Sequence, residues 1–527
     1  MKTKFWIPND ARARHTYIIG KTRMGKTDLG KVLCIQEMYR GHGVAYLDPN
    51  GDAVRSLLGN VPPERVKDVI YLDPTSPHAP AFNLFRLPYP PHKLAEDIIS
   101  VFQGFFDSWG DRMEHLLRYA LLTLLGDREP HTLADLKELL LDDRFRTRLI
   151  RRIATPALRR FWRDEFPAMG KNAVFPLTTK LSAFLAPGSD LERLFSQVEN
   201  ELDFPKILNQ RKILFVNLKK SMGKQPMRLL GGLLVTGIQQ AALARVEIAE
   251  HQRQPFHLFV DEFQNFVVQS FDEILAESGK YRLFLTMMHQ TLKQVPDLLV
   301  EHIFGNVGIV TSFRVSANDA ARLCREMQKQ SALCRIREHH GTVTFPQWLA
   351  YMREQLTEKY AHYTGLIEHA TQDPYYGSTF NAELIQKDIA RALETLAMPG
   401  VSLDVVKELT QKRYGRLNDE FREVFDAKGE RFFPDMVFTA VTTPNPGDLT
   451  DLERFCAYCK VDRTSNVFKF TTKPAPTPDA RVRQAILDRL RRKAEKRIQQ
   501  RTAQVAVTVE PAFSESPFDE TDRISDE

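Results

Sequence analysis

The chain has 527 residues, 43% of them hydrophobic and 27% charged. That is the balance of a soluble globular protein and too long for one ordinary core, so two or three domains are expected. A formal net charge of +6 permits nucleic-acid binding without demanding it. Cys34, Cys324, Cys334, Cys456 and Cys459 are odd in number and scattered, which excludes a disulfide framework and fits a reducing cytosol.

Met1 to Arg14 carries charge but no apolar stretch, so no secretory signal is expected. Thr16 to Ile19 is a short apolar run entering a glycine-rich turn, Gly20 to Thr27, and a helical pattern follows to about Tyr39. Val44 to Leu47, ending at Asp48, and Val69 to Leu72, ending at Asp73, read as two more strands. Strands alternating with helices predict an α/β domain, a parallel sheet with helices on both faces.

From Pro88 to about Val198 the pattern turns helical, with amphipathic spacing at Met113, Leu116, Leu117, Ala120, Leu121 and Leu124. This predicts an all-α insertion over residues 88–198. Arginines crowd between Arg144 and Arg163. Such a run is ordinarily a solvated face, and in a DNA-binding protein it can contact phosphates.

The α/β pattern resumes with strands at Lys212–Leu218, His257–Val260, Leu283–Met288 and Gly308–Phe313, the last ending at Arg314. The apolar helix between the first two, Leu229 to Ala244, reads as too short to span a bilayer and is interrupted by Gln239 and Gln240. Residues 336–470 read as mostly helical, with patches at Gln347–Tyr363 and Asn381–Leu396. A Pro-rich linker then precedes a basic amphipathic helix, Arg481 to Arg501, the two spanning 471–509. Its charge suits DNA, an anionic membrane surface or a partner protein. Residues 510–527 are acidic and are expected to be disordered.

The strongest chemical signal is Gly20-Lys21-Thr22-Arg23-Met24-Gly25-Lys26-Thr27, which matches G-x-x-x-x-G-K-[ST] between a strand and a helix. In such a P-loop the backbone amides and the helix N-terminus cradle phosphate oxygens. Lys26 is then expected on the β- and γ-phosphates of ATP, and Thr27 on Mg²⁺. Downstream, Phe259-Val260-Asp261-Glu262 places paired carboxylates at a strand end. Asp261 suits the magnesium and Glu262 suits a general base for the attacking water. Gln290, after His289, can bond both that water and the γ-phosphate. Arg314 is a candidate for a finger that crosses a subunit boundary to a neighbour's site. Asp48 reads equally as support behind the magnesium's water ligands or as a plain turn residue. Cys456 and Cys459 form a CxxC with no second ligand pair nearby to complete a zinc site.

In this order the motifs resemble the HerA/FtsK class of ring ATPases, and within it the conjugative coupling ATPases of the TraD/TraG type. Leu47-Asp48-Pro49-Asn50-Gly51-Asp52 is similar to that family's D-P-H-G-D segment. Val69 to Pro74, Trp109 to Glu114, Asp261 to Phe266, His289-Gln290 and Phe313-Arg314 extend the likeness over roughly residues 14 to 325. The resemblance implies a RecA-like motor domain, here 1–87 with 199–335, that forms a homo-hexamer around DNA and binds ATP between subunits. It also implies partners among relaxosome or secretion-channel proteins, and a cytoplasmic place, with any contact to the inner membrane made through partners. Three features depart from the family. Arg23 stands where glycine is common. Ser278-Gly279-Lys280-Tyr281 lacks an arginine found in relatives, leaving Lys280, Arg282 or Arg314 to supply that charge. No membrane-spanning segment is expected in this chain. Two other functions fit the same motifs: a HerA-like translocase working with a nuclease, and a nucleotide-switched DNA-binding scaffold that does not translocate.

Overall fold

The computed structural model describes residues 13–327 except 107 and 267–269, and residues 438–509 except 442–443 and 462–466. The described residues belong to one compact unit. The helical patches expected at Gln347–Tyr363 and Asn381–Leu396, and the acidic tail, lie outside them.

Ten strands form one sheet: β1 (His15–Ile19), β2 (Gly43–Asp48), β3 (Val69–Leu72), β4 (Ile213–Asn217), β5 (Phe256–Val260), β6 (Leu283–His289), β7 (Val307–Ser312), β8 (Phe438–Val441), β9 (Cys456–Val461) and β10 (Val467–Thr471). Their order is β3-β4-β2-β5-β6-β1-β7-β9-β10-β8. The first seven run parallel, with Tyr17 opposite Met287 and Leu47 opposite Val260. Every residue of β1, β2, β4, β5, β6 and β7 is buried. Parallel strands covered on both faces are continuous apolar runs for this reason.

Alternation along the strands divides the core in two. Tyr17, Ile19, Leu47, Val216 and Val260 join one apolar cluster, while Ile18, Tyr46, Phe215 and Phe259 join the other. The second cluster is closed by the helices α1 (Lys26–Tyr39) and Asp52–Leu58. The first is closed by α2 (Lys224–Leu243) and by the helices that run from Pro91 to Phe195. Gly232 and Gly237 let Phe105 and Phe204 approach α2 closely: a β-carbon at either glycine would sit within 3 Å of those rings. The 88–198 segment, read from the sequence as an all-α insertion, shares one continuous core with the sheet. Side chains at helix starts supply the missing acceptors there: Asp142 accepts from Arg144 N–H and Phe145 N–H, and Ser189 from Glu192 N–H.

Two sequence expectations are corrected, and the CxxC gains a geometric account. First, within 336–470, read as mostly helical, the described residues from 438 on are largely strand. The strands β8, β9 and β10 lie within it and extend the sheet antiparallel from β7. They are short and carry Lys460 and Lys469, so no long apolar run marks them. Second, the apolar helix begins earlier, at Lys224, and its continuation to Glu247 makes 24 residues, long and apolar enough by composition to cross a bilayer. Most of its apolar stretch is buried inside the fold, so it acts as a core helix here. In the CxxC, Cys456 and Cys459 sit three apart on β9, so their side chains leave opposite faces of the strand. Cys456 packs with one core cluster and Cys459 with the other, so the pair shares neither a metal nor a disulfide.

The basic helix α3 (Ala480–Val509) docks against the β3 side of the sheet. Ile486 is fully buried, and Arg489 donates to the carbonyls of Lys67 and Val69.

Candidate functional site

In a parallel sheet the residues that follow each strand gather at one edge. Here that edge collects Gly20 after β1, Asp48 at the end of β2, Asp261 after β5, Gln290 after β6 and Arg314 just beyond β7. Since β6 lies between β1 and β5, the phosphate loop and the paired carboxylates face each other across a single strand.

The loop Gly20–Thr27 is tied to its neighbours by main-chain bonds. Gly20 N–H donates to His289 O at 3.2 Å, and Lys21 N–H to Arg314 O at 2.7 Å. Lys21, Thr22 and Arg23 are exposed, whereas Met24, Gly25 and Lys26 are buried. Arg23 holds φ +64°, the left-handed conformation that glycine adopts without penalty. Its side chain stays exposed, so an arginine at this position leaves the loop open. Gly25, at φ +114°, precedes α1, and no side chain caps that helix. The end of α1 thus keeps uncapped N–H groups in a positive local field, the setting in which helix termini take phosphate.

Lys26 Nζ donates to Lys21 O at 3.1 Å, folding back across the loop. Burial pulls its pKa down, opposed by Glu262 and Asp261. Thr27 Oγ1 donates to Asp261 Oδ2 at 3.0 Å, so the two residues expected at magnesium already meet. Asp261 is fully buried, and burial, reinforced by the Asp48 and Glu262 charges, pushes its pKa up to about 7. Three carboxylates crowded beside Thr27 and Lys26 are a donor set that suits a hard divalent cation.

Glu262 adopts φ +47° and φ of this sign is uncommon for a side chain of its kind. Its carboxylate is held at both oxygens, by Gln290 Nε2 on Oε1 and Gln264 Nε2 on Oε2, each at 2.8 Å. Gln264 was not singled out in the sequence, although it stands two residues after Glu262. Asp48 accepts the N–H groups of Asn50, Ala53 and Val54, so it builds the turn after β2 as well as charging the site. Beneath the edge, Tyr17 OH and His289 Nε2 form a buried hydrogen bond that links β1 to β6. Burial, with the nearby Lys26 charge, pulls His289 down to about 3, so this imidazole is neutral.

Of the three basic candidates for a finger, Arg314 alone lies at this edge. Its Nε donates to Leu452 O at 2.5 Å within the chain. Lys280 and Arg282 precede β6, at the opposite edge, and Lys280 pairs with Glu277 at 2.9 Å. Also at that far edge, Glu37, His42 and His257 bring ligand atoms within 4.8 Å of one another. Glu37 there hydrogen-bonds His42 Nδ1 at 2.7 Å, lies 3.3 Å from His257 Nε2 and faces Arg40 at 3.7 Å.

A profile of the TrwB AAD-binding family, described as the type IV secretion-system coupling protein DNA-binding domain, matches residues 3–338. The chain belongs to this family. Among solved structures, the unbound monoclinic form of the bacterial conjugative coupling protein TrwBdeltaN70 superposes with a TM-score of 0.53 at 14% identity. That likeness covers 90% of this chain and 87% of the other. The plasmid coupling protein TrwB in complex with ADP and Mg²⁺ gives 0.52 at 14% identity, over 90% of this chain and 89% of that one. TrwB with the non-hydrolysable ATP analogue ADPNP gives the same score and identity, over 90% and 88%. At this identity the likeness establishes the fold, a RecA-like α/β architecture. No curated protein matches the sequence. The family match spans the strands β1–β7 and the helices packed on them, and ends before β8.

Proposed function

We propose that the protein is an ATP-hydrolysing motor that moves DNA in conjugation or type IV secretion, working as a homo-hexamer. The observation that carries this reading is the meeting of Thr27 with Asp261 and of Glu262 with Gln290 at one sheet edge. A scaffold that only bound nucleotide would need the loop but not a carboxylate oriented by two amides. The amides of the loop and Lys26 would hold the triphosphate, and Thr27 with Asp261 would hold Mg²⁺. Bound there, the metal would supply positive charge against the negative charge of the phosphates.

The chain's own residues account for the rest of the chemistry. Glu262 takes the proton of an attacking water, a role that contributes about 10²–10⁴-fold in rate. Gln264 and Gln290 hold its two oxygens in place, and Gln290 can pass to a γ-phosphate when one is bound. Arg314, at the same edge as the loop, is the candidate to serve a neighbouring subunit's site.

The test is ATP turnover with and without DNA. Lys26→Ala should lose ATP binding and all turnover. Glu262→Gln should still bind ATP while turnover falls at least about 100-fold. DNA should stimulate the wild type, and the stimulation should weaken as salt rises. Turnover indifferent to DNA would favour the nucleotide-switched scaffold instead, and wild-type turnover by Glu262→Gln would remove the general base.

A further inference from the structure

The P-loop is bonded on its outer side by Arg314 and by a turn, ending at Phe455, that the family match does not reach. Lys21 N–H is taken by Arg314 O, directly beyond β7. Beyond it the helix Ala317–Met327 packs against the segment 446–455, a short helix and a turn that lead into β9. That segment is fastened to the β7 end twice: Val315 N–H donates to Leu449 O at 3.2 Å, and Arg314 Nε to Leu452 O. Its last residue, Phe455, then reaches the loop itself, where its N–H donates to Met24 O at 2.9 Å. Thr472, following β10, secures the turn by donating its own N–H to Phe455 O at 2.7 Å.

The side chain adds to this bond. A β-carbon on Gly25 would lie 2.8 Å from Phe455 Cδ1, 3.2 Å from Phe313 Cε1 and 3.3 Å from Thr472 Oγ1. The Phe455 ring therefore rests on the α-carbon of the loop's second glycine. Phe455 makes these contacts at φ +67°, a left-handed conformation that a side chain of its size rarely adopts. Backbone strain of that kind persists only where the surroundings impose it.

The bond to Met24 has a direct consequence for phosphate binding. In a planar trans peptide the C=O of one residue and the N–H of the next point in opposite directions. Holding Met24 C=O outward, toward Phe455, turns Gly25 N–H the other way, toward the loop's concave side. Gly25 itself has no side chain to enforce that orientation.

We propose that the turn Leu452–Phe455 is a working part of the nucleotide site, with Phe455 a positioning residue that sets the orientation of the Gly25 amide for phosphate. This rests on the reading of the loop as a triphosphate site. It extends that site to a segment far along the chain, outside the span that carries the family's motifs.

The experiment measures binding of ADPNP with Mg²⁺ and, separately, of inorganic tripolyphosphate, to the full chain by calorimetry. Phe455→Ala should weaken both about tenfold, while the melting temperature without ligand stays near the wild type. Phe455→Leu, which restores an apolar contact on Gly25, should recover most of the loss for both probes. Should Phe455→Ala fold poorly, Thr472→Val serves instead: it removes the Oγ1 beside Gly25 and leaves the main-chain bonds, and about threefold weaker binding of both probes is expected. Unchanged binding of tripolyphosphate by the folded variants overturns the proposal. So does a loss confined to ADPNP, because that would make the ring a contact for the base or sugar. A wild type that binds neither probe overturns the nucleotide reading itself, an outcome separate from equal binding by wild type and variants.

Discussion

Two arginine-rich stretches look alike in composition and are used in opposite ways. In α3, Arg489 and Arg497 turn inward. Arg489 donates to the carbonyls of Lys67 and Val69, and Arg497 pairs with Glu201 and donates to Ala79 O at 2.8 Å. In the stretch Arg144–Arg163 most guanidiniums face solvent: Arg144, Arg148, Arg151, Arg159, Arg160 and Arg163 are all exposed. The difference comes from what lies beneath. Ile486, with Val482, Leu487 and Leu490, seats α3 on the sheet and brings its arginines over main-chain carbonyls, whereas the helix Asp143–Arg152 buries only Leu149 fully, with Phe145 and Ile150 half-buried beside it. A run of positive charge becomes a fastener or an outward face according to the apolar residues interleaved with it.

The largest effect should come from the outward face. Changing Arg144, Arg148 and Arg151 together to Ala should weaken DNA binding about 100-fold at low salt and reduce the slope of log K against log salt by up to about 3. Fluorescence anisotropy with labelled oligonucleotides over a salt series reads both quantities. An unchanged slope would make this stretch a solvated surface and remove the contrast with α3.

A smaller effect, of a different kind, should follow in α3. Arg489→Ala with Arg497→Ala leaves Glu201 with Lys493, at 2.7 Å, and the N–H of Ala81, and removes the donors to Lys67, Val69 and Ala79. Denaturant unfolding should show a loss of about 2 kcal/mol, with the salt slope for DNA as in the wild type. A reduced slope with stability intact would move α3 to the DNA-binding side of the comparison.

What could be read without coordinates follows the same division between local and distant causes. The strands β1 and β5 were legible because buried parallel strands are uninterrupted apolar runs, and each ends on its own site residue, Gly20 and Asp261. The loop was legible because its chemistry lies in eight consecutive residues. Phe455 was not, since its role depends on β9 pairing with β7, a contact across more than a hundred residues with no periodic signal in Cys456–Val461. The start of α2 was misplaced because Lys224, Gln225 and Pro226 look polar, although proline is well suited to a first helical turn. Gln264 could have been found by asking which nearby side chain might donate to Glu262, a question of geometry that spacing alone does not pose.

The smallest prediction tests the boundary inside the outward stretch, because Arg152 belongs to it by sequence but not by use. Arg152 Nη2 bonds Asp127 at 2.6 Å and also pairs with Glu129. Asp127 in turn takes His131 Nε2 at 2.8 Å, while Asp135 lies 3.4 Å from His131 Nδ1. Burial alone would lower the His131 pKa, but the bonds to Asp135 and Asp127 outweigh it and raise the imidazole above its ordinary 6.5. A group raised on folding stabilises the fold fully below its unfolded pKa and loses that contribution as pH climbs through the folded value. Asp127 and Asp135 are shifted the opposite way, downward by the same partners, so their share is present above the usual carboxylate range and fades on acidification. His131→Asn should therefore cost about 1 kcal/mol at pH 6 and progressively less above the raised pKa. Unfolding measured at pH 6 and pH 9 reads the difference. Equal losses at both values would mean that the cluster is held by Arg152 and packing rather than by a protonated imidazole, and Arg152 would then join Arg146, which donates to Leu139 O and Leu140 O, as a fastener in a stretch otherwise turned to solvent.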